Sequence, residues 1–174
     1  MSEYIYISLL CFIAVLTDLF FGTLGIILPV TAVLVFYLTV TYGWRIAVIA
    51  GITCGILLDS LYGRQTFITP FIMLPVIATA IFWLLRGESK TLELHVIPGA
   101  VIAFFYIVPL SLMGLVSSGI SLEILKQHLA NIMFGLLVSA LMLPVAITIL
   151  DYCAELMEFE RYSDAKDKIV ARRP

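Results

Sequence analysis

The sequence predicts an all-α integral membrane protein, built as a six-transmembrane-helix bundle. Hydrophobic residues make up 62% of the 174 residues, whereas charged residues make up only 13%. The mean hydropathy is +1.12, and apolar runs alternate with charged or Gly- and Pro-containing breaks along the chain. A soluble domain has much more polar surface than this. The composition therefore excludes an ordinary soluble protein, and a lipid bilayer, not nucleic acid, is the expected surrounding partner.

The apolar runs give the six helices and the domain organisation. At about 20 residues per crossing, the chain has room for six spans with tight connections and no separate soluble domain. Residues 1–150 therefore form a transmembrane domain, and residues 151–174 form a charged C-terminal tail. The helices are expected at about Tyr4–Phe21, Leu28–Tyr42, Arg45–Leu61, Thr69–Leu85, Val96–Val116 and Leu125–Leu150.

Local signals justify the individual helices. The first run follows Glu3, not a basic segment, and no small-residue cleavage site follows it, so a retained span is expected and not a signal peptide. Gly22 and Gly25 end this helix, and Pro29 opens the second. Gly43 then leaves so short a break that the second and third helices form a tight hairpin. Other prolines that begin or kink spans are Pro70, Pro75, Pro98, Pro109 and Pro144.

The basic residues predict the orientation. With six spans both termini lie on one side, which holds eight of the ten basic residues, leaving Arg64 and Lys126 on the other. Because basic residues accumulate on the cytoplasmic side, both termini are expected to be cytoplasmic. The tail also changes from acidic to basic along its length, and its basic end suits anionic lipid headgroups. Most such tails are solvated extensions, although Tyr152, Phe159 and Tyr162 leave room for a cytoplasmic partner.

A ladder of small residues with one acid marks the third helix. Ala47, Gly51, Gly55, Asp59 and Gly63 follow one another at four-residue spacing, which stacks them along one helical stripe. Small residues let a second helix approach closely in lipid. The ladder therefore predicts a packed helical interface with a polar point on it, and it is the candidate surface for a partner protein or for a second copy of the chain.

Two acids are expected inside the membrane. At a rise of about 1.5 Å per residue, Asp59 lies roughly 21 Å along its helix, within a hydrocarbon core of about 30 Å, and Asp18 lies at a similar depth. With Arg64 they are candidate polar residues of an outer cavity. Three roles are open: capping a neighbouring helix end or pairing with Arg64, contacting a partner's helix, or forming a proton or cation path.

The other polar residues indicate packing and not chemistry. Asn131, Gly135 and Ser139 repeat the four-residue spacing on the last helix, which together with Pro29 predicts internal helix packing. The three cysteines lie far apart and lack the CxxC spacing of metal or redox sites. The two histidines fall near opposite membrane faces. No metal, no cofactor and no catalytic residue is therefore expected.

The order of these features resembles the rod shape-determining protein MreD family. A proline-led second helix begins at Pro29, and after a one-turn break come Gly51, Gly55, Asp59 and Gly63 at the spacing of a G-x-x-x-G-x-x-x-D-x-x-x-G signature. The resemblance covers most of the chain, but its specificity rests on about twenty residues. It implies a small multi-pass protein of the bacterial inner membrane.

The resemblance also implies partners. Members of this family act with MreC, the actin-like MreB, the glycosyltransferase RodA and its class B penicillin-binding transpeptidase in the elongation complex that builds side-wall peptidoglycan. Their role is to assemble and regulate that complex, not to catalyse, and MreC is the expected direct partner. The family is similar in fold to the substrate-binding S components of energy-coupling factor vitamin transporters, so such a transporter subunit is the alternative. No catalytic motif favours an enzyme.

Overall fold

Six helices make up almost all of the described chain. The structure, a computed structural model, describes residues 2–86, 95–118 and 122–165, and this part of the chain contains no strand. All six helices lie at the positions expected from the sequence. They are α1 (Ser2–Thr23), α2 (Val30–Thr41), α3 (Trp44–Leu61), α4 (Thr69–Arg86), α5 (Val96–Ser118) and α6 (Leu122–Leu156).

Four of these helices are long and apolar enough to cross a membrane: α1, α3, α5 and α6. The apolar stretches of the other two, Val30–Thr41 and Thr69–Leu85, are shorter. The described chain is therefore an all-helical, membrane-embedded protein.

The shortest helix, α2, forms the centre of the bundle. Every residue from Thr31 to Thr41 is buried, which is the expected environment of a helix that is apolar on all sides. Its threonine hydroxyls are compatible with this burial because they bond within the helix. Thr39 donates to the Val35 carbonyl at 2.7 Å, and Thr41 donates to the Tyr37 carbonyl at 3.0 Å. The other helices pack around this central element.

Three tight connections fold the first four helices into successive hairpins. Gly25, Gly43 and Gly63 each have a positive φ, of 77°, 89° and 65°, between α1 and α2, α2 and α3, and α3 and α4. Side chains are disfavoured at such angles, which is why glycine stands at these turns. The arrangement places the ends of α1 and α3 beside the beginnings of α2 and α4.

The last two helices, α5 and α6, pack along each other. A side chain at Gly99 would lie 2.9 Å from the Ala140 carbonyl oxygen, and one at Gly135 would lie 2.7 Å from Ile107. Glycine thus permits the close approach of the two helices at both points. The 35 residues of α6 correspond to about 52 Å, which exceeds a hydrocarbon core of about 30 Å.

The described part of the tail differs from a solvated extension. The helix expected to end at Leu150 continues to Leu156. Residues 157–165, called the strap below, then fold back onto the bundle. Phe159 packs on Tyr6 with a ring-centroid distance of 4.8 Å, and Tyr162 is only 3% exposed. The end of the tail, residues 166–174, lies outside the described residues.

Candidate functional site

The small-residue ladder of α3 packs against α4 of the same chain. Ala47, Gly51, Gly55 and Asp59 are all buried. A side chain at Gly55 would lie 2.6 Å from the backbone nitrogen of Pro70, and one at Gly51 would lie 3.1 Å from Met73. The expectation of a partner-binding surface on this stripe is thereby corrected, because α4 already occupies it.

The fifth ladder position lies beyond the helix. Gly63 is exposed, and its φ of 65° places it in the turn that follows α3. Its amide donates to the Ser60 carbonyl at 3.1 Å. Gly63 therefore closes the helix end and does not extend the packing stripe.

Asp59 caps the beginning of α4. Its carboxylate is fully buried and accepts the Thr69 amide at 2.8 Å, the Thr69 hydroxyl at 2.5 Å and Nη1 of Arg64 at 2.8 Å. The same Arg64 nitrogen donates to the Thr69 hydroxyl oxygen at 3.0 Å. A carboxylate at a helix N-terminus satisfies free amides and is stabilised by the helix dipole. Asp59 and Arg64 thus tie the end of α3 to the start of α4.

Asp18 performs the same task for α2. Only 3% of this residue is exposed. Its two carboxylate oxygens accept the backbone amides of Val30 at 2.9 Å and Thr31 at 3.0 Å, while the Tyr106 hydroxyl of α5 lies 3.4 Å away. Of the three roles open for the two acids, the structure thus shows helix capping at both.

A tyrosine connects the two capped ends. The Tyr62 hydroxyl, at the end of α3, donates to the backbone carbonyl of Asp18 at 2.7 Å. The guanidinium of Arg64 lies over the same ring, 4.7 Å from its centroid. A side chain at Gly22 would lie only 1.9 Å from the Tyr62 hydroxyl oxygen, so this position needs glycine. We call Asp18, Asp59, Tyr62, Arg64 and Tyr106 the cap layer.

The proposed packing residues differ in their environments. Pro29 directly precedes α2 as its N-cap. Gly135 faces Ile107 of α5, and Ser139 is fully buried, so both lie inside the bundle. Asn131 is exposed. The expectation that it packs between helices is therefore corrected, because the described helices leave its side of α6 uncovered.

A second polar cluster lies at the opposite end of the bundle. Oδ1 of Asp151 accepts the Tyr37 hydroxyl at 3.0 Å and the Tyr162 amide at 2.7 Å. The Tyr162 hydroxyl lies 3.0 Å from Nε2 of His95, which is 4% exposed. Burial and the Asp151 carboxylate raise the pKa of the Tyr162 phenol. This cluster fastens the strap.

An apolar groove runs between α1 and α3. Its volume is about 670 Å³, and it extends from Tyr4 and Ile46 at one end to Leu19 and Leu61 at the other. Neither Asp18 nor Asp59 lines it. The groove therefore has the surface of a lipid-facing cleft and is separate from the cap layer.

The chemistry available in the cap layer is structural. Its carboxylate oxygens are occupied by amides, hydroxyls and one guanidinium, so neither acid presents a free nucleophile or base. Within the described ranges, no three His, Cys, Asp or Glu residues come together in a way that could hold a metal ion.

Tyr62 and Tyr106 complete the cap layer, and Thr69 bonds to it through Asp59 and Arg64. These three residues were not predicted from the sequence. A hydroxyl-bearing residue next to a glycine turn and a threonine next to a helix-opening proline are the signals that could have indicated two of them. Comparison with protein-family models, with curated proteins and with solved structures found no match.

Proposed function

We propose that this chain is a non-catalytic scaffold of the bacterial cell-elongation complex, embedded in the inner membrane, where it binds MreC and supports side-wall peptidoglycan synthesis. One observation carries the proposal: both carboxylates expected inside the membrane are used to cap helices of the chain itself. Intramembrane acids commonly mark substrate or ion pathways. Here they stabilise a bundle instead, which suits a protein whose task is to hold others.

Six crossings with both termini in the cytoplasm form part of the proposal. Asp18 lies near the end of α1 and caps the start of α2, whereas Tyr37, near the end of α2, reaches the cluster that also fastens the strap. The strap in turn contacts Tyr6 near the start of α1. α2 therefore returns the chain to the level at which α1 began. The capped pair α3 and α4 supports the same path, so two short helices would complete six crossings.

The partner surface is proposed on the lipid-facing sides of the helices. The ladder is covered by α4, which leaves the exposed apolar residues of α1, α3 and α6 for contact with MreC. Large side chains such as Phe12, Ile49 and Leu137 are half or more exposed, as expected for surfaces that face lipid or another helix. RodA, the class B transpeptidase and MreB would join through the same assembly. A second copy of the chain would use this lipid-facing surface as well.

Site-specific photo-cross-linking in growing cells tests the proposal. A photoreactive phenylalanine is placed in turn at Phe12, Ile49 and Leu137, which face outward, and at Phe36, which is fully buried and serves as the matched control. Adducts with MreC are expected from at least one outward face and none from Phe36. Normal amounts of protein without an MreC adduct at any outward position would overturn the proposed partner.

A further inference from the structure

Two segments of the sequence share one spacing. Asp18, Gly22 and Pro29 are separated by four and seven residues, and Asp59, Gly63 and Pro70 are separated by the same intervals. A small residue, Ala14 or Gly55, stands four positions before each aspartate. Equal spacing of an acid, a glycine and a proline is the mark of an internal repeat with an offset of 41 residues.

The two segments also have the same structural role. In each, an aspartate near the end of one helix caps the start of the next: Asp18 accepts the amides of Val30 and Thr31, and Asp59 accepts the amide of Thr69. In each, a glycine of positive φ follows the first helix, and the next amide reaches back five residues, from Ile26 to Phe21 and from Arg64 to Asp59. This glycine is Gly63 in the second segment but Gly25 in the first, where the repeat position Gly22 is still helical. α1 continues about one helical turn further beyond Asp18 than α3 does beyond Asp59.

The connections differ in what holds them closed. Residues 24–29 between α1 and α2 are Leu, Gly, Ile, Ile, Leu and Pro, so no side chain in this loop can form a hydrogen bond. The loop between α3 and α4 contains Arg64, whose guanidinium bonds to Asp59 on one side and to Thr69 on the other. Among the described residues, Asp18 forms no ion pair. Hydrogen bonds to a charged donor are roughly twice as strong as neutral ones.

We infer that α1–α2 and α3–α4 are tandem copies of one capped helical hairpin, and that only the first copy opens at its capped end. Opening frees the amides of Val30 and Thr31 and moves the apolar loop 24–29, while the second end stays closed by Arg64. The carbonyl of Ile27 lies in the contact with Gly135 of α6, so the movement also loosens α6. This opening is a property of the chain alone and does not depend on which partner it binds.

Amide hydrogen exchange measured on the purified full chain in mild detergent tests the inference, because each hairpin serves as the control for the other. After correction for intrinsic rates, the amides of Val30 and Thr31 should exchange about tenfold faster than the amide of Thr69, since the ion pair of Arg64 with Asp59 has no counterpart at the first end. Equal protection at the two ends, or greater protection at Val30 and Thr31, would overturn it.

A pair of variants tests the cause of the difference. Arg64→Met removes the cation and keeps a long side chain, and it should raise the exchange of Thr69 to the level of Val30 and Thr31. Arg64→Lys keeps the charge and should leave Thr69 protected. An Arg64→Met chain that folds and still protects Thr69 as the wild type does would contradict the role of Arg64. If Arg64→Met does not fold, the wild-type comparison decides the inference alone.

Discussion

At the scale of single residues, the capped carboxylates show how a membrane protein holds a buried acid. A polar group buried in hydrocarbon without partners costs several kcal/mol. Asp59 is fully buried, but it lies where an amide, a hydroxyl and the Arg64 guanidinium converge within 2.8 Å. Its partners offset the cost of burial and fix the relative position of two helices. The acid is therefore part of the packing and not an exception to it.

Replacing Asp59 tests whether its hydrogen-bond acceptor or its charge holds the two helices together. Asp59→Ala should lower the free energy of unfolding by about 3 kcal/mol, because it leaves Arg64 and the Thr69 amide without their partner in a partly buried site. Asp59→Asn keeps an acceptor oxygen, so a smaller loss is expected. Thermal unfolding in detergent measures both changes. Equal losses for the two variants would show that the negative charge, not the hydrogen-bond acceptor, is what the site needs.

The cap layer also shows which contacts can be predicted from the sequence and which cannot. Capping and pairing with Arg64 stood among the possible roles of Asp59 because the acid lies in an apolar helix with a nearby base. The contributions of Tyr62 and Tyr106 could not be foreseen, since each reaches an aspartate more than 40 residues away along the chain. Contacts between distant residues depend on the complete packing of the helices, which no local spacing encodes.

At the scale of helices, the close contact between α3 and α4 depends more on Gly55 than on Gly51. A side chain at Gly55 would meet the backbone of Pro70 at 2.6 Å, whereas one at Gly51 would meet the side chain of Met73 at 3.1 Å. A contact at 2.6 Å with the backbone of Pro70 requires the helix to shift, whereas a contact at 3.1 Å with the Cβ of Met73 requires a displacement of only a few tenths of an ångström. The close approach of the two helices therefore depends chiefly on Gly55.

Alanine substitutions test this difference. Gly55→Ala should destabilise the protein by about 1–3 kcal/mol, the usual cost of overpacking a core. Gly51→Ala should be nearly neutral, because a gain of about 1 kcal/mol in helix propensity offsets a mild contact. Unfolding midpoints of the two variants in the same detergent provide the measurement. Greater destabilisation by Gly51→Ala would place the decisive contact elsewhere.

The strap gives a pH-dependent prediction at the same scale. Burial and Asp151 raise the pKa of Tyr162, which means that the docked strap favours the neutral phenol. Docking is therefore complete below the ordinary tyrosine pKa of about 10 and is lost as the pH rises through the raised value. Spin labels at Ile5 and Glu158 should report a longer distance above pH 10.

Tyr162→Phe is the matched control for this experiment, because it keeps the ring and removes the ionisable hydroxyl. Its label distance should stay constant over the same pH range. If the strap of the Tyr162→Phe variant also undocks as the pH rises, a group other than Tyr162 causes the transition.

Helix positions and helix ends differ in how far the sequence determines them. The six apolar runs predicted the helices because each is bounded by a glycine, a proline or charged residues. The extension of α6 to Leu156 was missed because Asp151 and Glu155 suggested a solvated tail. In the fold, Asp151 accepts hydrogen bonds from Tyr37 and Tyr162. The charge that indicated the end of the last helix in the sequence therefore forms tertiary contacts instead.

At the scale of the whole molecule, two polar clusters close the ends of a largely apolar core. The cap layer joins α1, α2, α3, α4 and α5 through Asp18, Asp59, Tyr62, Arg64 and Tyr106, and the strap closes the other end. The exterior consists largely of exposed apolar side chains, which suits contact with lipid and with other membrane helices. Such a distribution fits a scaffold that presents its outer faces to partners and keeps its polar residues for its own stability.

The most direct test of the proposed scaffold function is affinity purification of the tagged chain from native membranes in mild detergent, followed by mass spectrometry of the bound proteins. A scaffold of the elongation complex should recover MreC together with other elongation-complex proteins, and a folded Asp59→Asn variant should recover the same proteins. Recovery of an energy-coupling ATPase module in place of MreC would contradict it and would identify the chain as a vitamin-transporter subunit.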